Sequence, residues 1–243
     1  MSTRSSPSPW HPPETGPGFS DSSPPDDSLA QKLRGFGPIG ILAILGILLG
    51  NAAFVPFSAL LVLVWAWRSR TPFREIGYAR PKSWLASLAI GLVLGIAFKF
   101  FLKILVMPLL GAPPINQAYH FLAGNRAALP RMLYAVIVGA GFGEETVFRG
   151  YLFERFGKLF GQTAVAKTAI VLLTSLWFGL AHYSVQGLAG TEQAVIVGFV
   201  FGTIFAVTGR LWMLMCAHAA FDLAAVAIIY WNLETRFAHL IFK

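Results

Sequence analysis

The sequence contains a single cysteine, Cys216, so no disulfide can form within the chain and a cystine-stapled scaffold is excluded. Cys216 sits in an apolar run and reads as a small hydrophobe. Charge is scarce too: Asp, Glu, Lys and Arg make up 12% of the 243 residues, against roughly 25% in soluble domains. Several chemical signatures are also missing. There is no Gly-rich phosphate loop, no nucleic-acid motif, no H-E-x-x-H zinc-protease helix and no Ser-His-Asp or Cys-His arrangement. What is plentiful is apolar. Hydrophobic residues reach 56% before the 24 glycines are counted, with 21 phenylalanines and seven tryptophans. A soluble body could not cover so much apolar surface. A multi-spanning membrane protein remains, and the net charge of +8 then orients spans rather than binding nucleic acid.

Residues 1–33 differ in kind from the rest, with seven prolines, eight serines and almost no aliphatic content. Such a segment cannot offset its folding entropy and reads as a disordered leader. It is not a signal peptide, because no apolar stretch follows a short basic start. Residues 34–243 form the membrane domain. From Gly35 to Trp67 there are 33 residues without a formal charge, enough for one long tilted helix or two short ones, since a span takes about 20. Further apolar segments run over about 84–110, 130–153, 165–183, 191–208 and 211–230. The expectation is an all-α polytopic bundle with six to eight membrane segments. Gly139, Gly141 and Gly143, and the G-x-x-x-G pair Gly198 and Gly202, suit close helix contact. Lys99 and Lys103 either snorkel from a helix end, the commoner case, or face an internal cavity. Arg68, Arg70, Arg74, Arg80 and Lys82, and then Arg155, Lys158 and Lys167, form basic clusters that place their connections in the cytoplasm.

Ionisable groups inside such spans are costly and point to function. Glu144, Glu145 and Arg149 share one segment; His182 ends another, one turn after Phe178; His218 and Asp222 lie four apart on a third. On an α-helix Glu145 and Arg149 share a face and can pair, which leaves Glu144, a quarter-turn away, as the chemical group. Two mechanisms suit the set. In one, Glu144, His182 and His218, with or without Asp222, bind zinc or another divalent metal and a water of lowered pKa. In the other, Glu144 is a general base that shares a water with His182, and His218 and Asp222 face the developing oxyanion.

Three motifs in order, E-E-x-x-x-R at Glu144–Arg149, F-x-x-x-H at Phe178–His182 and H-x-x-x-N/D at His218–Asp222, resemble those of the CPBP intramembrane proteases. That family includes the prenyl endopeptidases that trim CAAX-type substrates. The likeness covers about residues 70–232 and includes the "FREIGYARPKSW" stretch. It implies an intramembrane endopeptidase, classed as a metalloprotease, with Glu144, His182, His218 and Asp222 catalytic and Glu145, Arg149 and Phe178 supporting. It also implies a bacterial plasma (inner) membrane setting and a peptide or membrane-protein substrate, prenylated or not. Where the prenyl endopeptidases often carry Asn, this chain has Asp222, and an ionised carboxylate cannot donate to an oxyanion. Asp222 must therefore be protonated, act through water, orient His218 or bind metal. The competing readings are a non-catalytic membrane scaffold of the bacteriocin-immunity kind, and a transporter, for which no internal repeat is evident.

Overall fold

The structure, a computed structural model, describes residues 28–242. Residues 1–27, with most of the Pro/Ser-rich leader and His11, lie outside the described residues; the leader's last residues fall in the short helix α1, Ser28–Arg34. The apolar stretch that follows is two helices, α2 (Pro38–Ala53) and α3 (Val55–Arg68), each with a proline in its first turn, where the missing N–H costs nothing. Helix α4 runs over Trp84–Leu109, and α5 is continuous over residues 129–160. Then come α6 (Ala164–Thr208), α7 (Trp212–Tyr230) and the short α8 (Glu234–Ala238). Among the described residues every regular element is helical.

Helix α6 is 45 residues long but is broken at Gly187, whose φ of 64° and ψ of −163° suit only glycine. Its arms fold back on each other. A Cβ on Gly179 would lie 2.2 Å from Val195, one on Gly198 2.9 Å from the Ser175 backbone and one on Gly202 3.5 Å from Val171. The G-x-x-x-G pair thus seats the second arm against the first. Helices α4 and α7 meet even more closely, because a Cβ on Gly95 would stand 2.0 Å from the Ala217 carbonyl oxygen. Gly95→Ala is therefore expected to lower stability by about 1–3 kcal/mol, the usual cost of overpacking. Gly46→Ala, with nothing within 4 Å of the new methyl, should leave it equal or higher by up to about 1 kcal/mol. Thermal unfolding in detergent compares the two, and a Gly95→Ala protein as stable as Gly46→Ala would contradict the close crossing.

Three helices are long and apolar enough to cross a membrane, α4, α6 and α7, or four if the pair α1–α2, bent by 58°, counts as one span. Large apolar side chains such as Leu85, Val165 and Val207, 76%, 80% and 81% exposed, face outward, as lipid contact requires. The chain is thus an integral membrane protein, but the expectation of six to eight segments is corrected. The stretches 165–183 and 191–208 are the two arms of α6, separate segments as expected, within one helix of 45 residues broken at Gly187. Helix α3 has 14 residues, a rise of about 21 Å against a hydrocarbon core of about 30 Å. Helix α5 carries too much charge.

Two readings of the basic residues change as well. Lys99 does not snorkel: it is buried and donates to Gln193 Oε1 at 3.0 Å, while Lys103 donates to the Pro114 carbonyl. Arg155 is not a loop charge. It is buried, grips Glu154 through Nε (2.6 Å) and Nη2 (3.1 Å), donates to the Arg34 carbonyl at 2.9 Å and covers the Trp65 ring at 4.7 Å. With Trp65 Nε1 donating to the Leu33 carbonyl at 3.1 Å, it ties α1 to the end of the bundle.

Candidate active site

The middle of α5, Ala135–Tyr151, is wound as a π-helix, in which each N–H reaches the carbonyl five residues back. Its sequence, AVIVGAGFGEETVFRGY, is rich in glycine and β-branched residues, so its preference for the tighter α-helix is weak. Such turns recur at functional sites. Here the π-helix carries Glu144, Glu145 and Arg149 between α3, α7 and the 3-10 turn Phe73–Ile76. A Cβ on Gly141 would be 3.0 Å from Ala219, one on Gly143 2.7 Å from Val55 and one on Gly150 2.9 Å from the Ile76 carbonyl.

Glu145 and Arg149 are almost wholly buried, and Arg149 Nη1 donates to Glu145 Oε1 at 2.9 Å. The same oxygen lies 2.7 Å from Nδ1 of the buried His218. A carboxylate accepts only, so Nδ1 carries the proton and Nε2 of His218 is turned to the other side. There it stands 3.7 Å from Glu144 Oε2 and 3.8 Å from Asp222 Oδ2. The first arm of α6 supplies His182, whose Nδ1 lies 2.7 Å from the Phe178 carbonyl; again Nδ1 is the protonated atom and Nε2 is left as an acceptor. Phe178 is wedged among these groups. Its ring lies 4.6 Å from the Arg149 guanidinium, 4.6 Å from the His182 ring and 5.9 Å from the His218 ring.

Behind Glu145, Thr146 donates to the Phe142 carbonyl at 2.6 Å, so its oxygen accepts from Tyr78 at 2.7 Å. Tyr78 lies outside the spans, and burial pushes its phenol up to about 12, so it stays a donor at neutral pH.

Glu144, His182, His218 and Asp222 line one cavity of about 720 Å³, with Phe178 in its wall. All four sequence candidates therefore come together, from α5, α6 and α7, while Glu145 and Arg149 stand behind them. The cavity also contains residues that the motifs do not mark. Lys99 comes from α4, and Tyr119 comes from the connection 110–128 and accepts from Gln186 Nε2 at 3.3 Å. That connection is held over the cavity by Glu234, which accepts from the Asn116 N–H at 2.7 Å and lies 3.3 Å from His120 Nδ1. Gln186 and Gln193, two amides beside apolar stretches of α6, are the signal that could have revealed this wall.

Imidazoles and carboxylates are donors of the zinc type. Among the described residues, however, no three His, Cys, Asp or Glu side chains are grouped to hold a metal ion. Glu144, His182 and His218 would be the residues to hold one, and a bound water of lowered pKa is the chemistry it would supply.

The family model for type II CAAX prenyl endopeptidases, Rce1-like, matches residues 126–224. The match takes in the π-helix, both arms of α6 and α7 as far as Ala224, and so includes all four cavity residues. It links this part of the chain to the CAAX-protease superfamily. Comparison with curated proteins and with solved structures finds no match.

Proposed function

We propose that this protein is an intramembrane endopeptidase of the CPBP type, acting in a bacterial plasma membrane on a peptide or membrane-protein substrate, prenylated or not. The observation that carries the reading is a carboxylate, Glu144, in a cavity between the helices and shared with two imidazoles, each fixed through Nδ1. Water donates its two protons to Glu144 and to His182 Nε2, leaving an oxygen lone pair for the scissile carbonyl carbon. Glu144 takes one proton as the C–O bond forms and passes it to the amine as the C–N bond breaks. With a second proton on Nε2, His218 is an imidazolium set among the Glu145, Glu144 and Asp222 carboxylates, and from that nitrogen it donates to the developing oxyanion. Asp222, 3.8 Å from that nitrogen, acts through His218 and need not donate. The acceptor-only carboxylate at this position is thereby accommodated.

Hydrolysis in H₂¹⁸O tests the chemistry. Protein reconstituted in lipid nanodiscs should cleave a prenylated CAAX peptide and place one ¹⁸O in the new carboxylate, read by mass spectrometry. Tight peptide binding with no cleavage would instead favour the non-catalytic scaffold. Metal removal is a second test. Protein stripped with a chelator, its metal content verified by elemental analysis, is expected to retain its cleavage rate. A loss restored by stoichiometric zinc would transfer water activation to a metal held by Glu144, His182 and His218.

A further inference from the structure

Next to the catalytic cavity lies a second compartment of about 450 Å³, lined by Lys99, Lys103, Asn116, Gln186, Gln193 and Glu234 among others. Lys99, Gln186 and Gln193 line both spaces, so the two adjoin along this wall. The other buried cations of the bundle have carboxylate partners: Arg149 has Glu145, and Arg155 has Glu154. Lys99 is 7% exposed and has no carboxylate within 4.0 Å among the described residues. Its one side-chain acceptor is Gln193, and its ammonium lies 4.9 Å from the Phe221 ring. Asp222 and Glu234 act on it only at longer range. The two oxygens of Glu234 are engaged by Asn116 and His120, and Lys103 donates to the Pro114 carbonyl and feels Glu234 only at longer range, with no ion pair within 4.0 Å among the described residues.

An ammonium in a low-dielectric wall without a close anion is expensive unless a ligand brings the anion. From Lys99, Lys103 and the amides beside them we infer that this compartment is a subsite for a carboxylate of the bound peptide. The carboxylate is either the free C terminus or an acidic side chain beyond the cleaved bond. Amide groups along the wall match the peptide backbone that links this carboxylate to the scissile bond. The inference rests on the hydrolytic reading for the placement of that bond, but binding alone can test it.

The test uses the full-length chain as Glu144→Gln in nanodiscs, so that probes bind without turnover. Three fluorescein-labelled probes are compared by anisotropy: an Ala-Leu hexapeptide with a free carboxylate, its C-terminal amide, and the amide with Glu as the last residue. The acid, the Glu-bearing amide or both should bind at least about tenfold tighter than the plain amide, as a charge-assisted contact provides. Which of the two does so identifies the source of the carboxylate. Adding Lys99→Gln should bring the ratio to about one, and Lys99→Arg should largely preserve it. If Lys99→Gln does not fold, Lys103→Gln carries the test and should lower the ratio severalfold. Equal binding of all three probes, or a preference that survives both substitutions, would overturn the subsite. Selective binding by a protein whose wild type hydrolyses nothing would leave the subsite standing and remove the protease reading.

Discussion

Glu144→Gln is expected to lower peptide hydrolysis by roughly a thousandfold or more, because the amide cannot accept the proton of the attacking water. The fold should be unaffected. Among the described residues Glu144 makes no hydrogen bond that holds the helices together, its contact with His218 Nε2 being a long one of 3.7 Å, and glutamine fills the same volume. The two readouts, product formation by mass spectrometry and thermal unfolding, therefore separate chemistry from stability. A variant that keeps a rate within tenfold of wild type would remove Glu144 from the mechanism. A variant that loses both rate and fold would assign Glu144 a structural role.

The second large effect concerns the residues behind the cavity. Arg149→Met should destabilise the protein by about 3–5 kcal/mol, the usual result of leaving one member of a buried pair without its partner. That is a large share of a total stability of about 5–15 kcal/mol. The network is exacting, since Glu145 Oε1 serves both Arg149 and His218. Glu145 Oε2 and Arg149 Nη2 have no hydrogen-bond partner among the described residues. The double variant Glu145→Gln, Arg149→Met removes both charges and should regain part of the loss, because the Glu145 carboxylate is no longer left without its guanidinium partner. Denaturant unfolding of the two single variants and the double variant measures the coupling. A loss below about 1 kcal/mol for Arg149→Met would mean that the pair is not what anchors the π-helix.

Much of the site was legible because the signal is a conflict: charge and imidazole inside apolar segments. The four-residue spacing of Glu145 and Arg149 predicts a pair on an α-helix, and the 2.9 Å contact survives on a π-helix because its wider turn still brings i and i+4 within reach. The π winding itself was not legible. Hydrophobic periodicity over a glycine-rich stretch does not separate it from the α form. The span count failed for a different reason. Apolar length alone overcounts, because α3 has only 14 residues and α5 carries Glu144, Glu145 and Arg149 at its middle, whereas the break at Gly187 falls in the connection that separates 165–183 from 191–208 in the sequence. For Lys99 the sequence leaves two fates open, snorkelling, which is the usual one for a lysine near a helix end, and facing an internal cavity. Only its Gln193 partner, 94 residues away in sequence, shows that it faces inward. Tyr119 reaches the cavity from a connection and Glu234 the neighbouring compartment from a short helix, with no local pattern to mark them.

The most direct measurement compares, by proteomics, the C-terminal fragments in membranes of cells carrying the wild-type chain or Glu144→Gln at equal abundance. An endopeptidase that uses Glu144 predicts a defined set of new C termini in the wild-type sample that is missing from the variant. Identical termini in the two samples, at equal levels of folded protein, would contradict it.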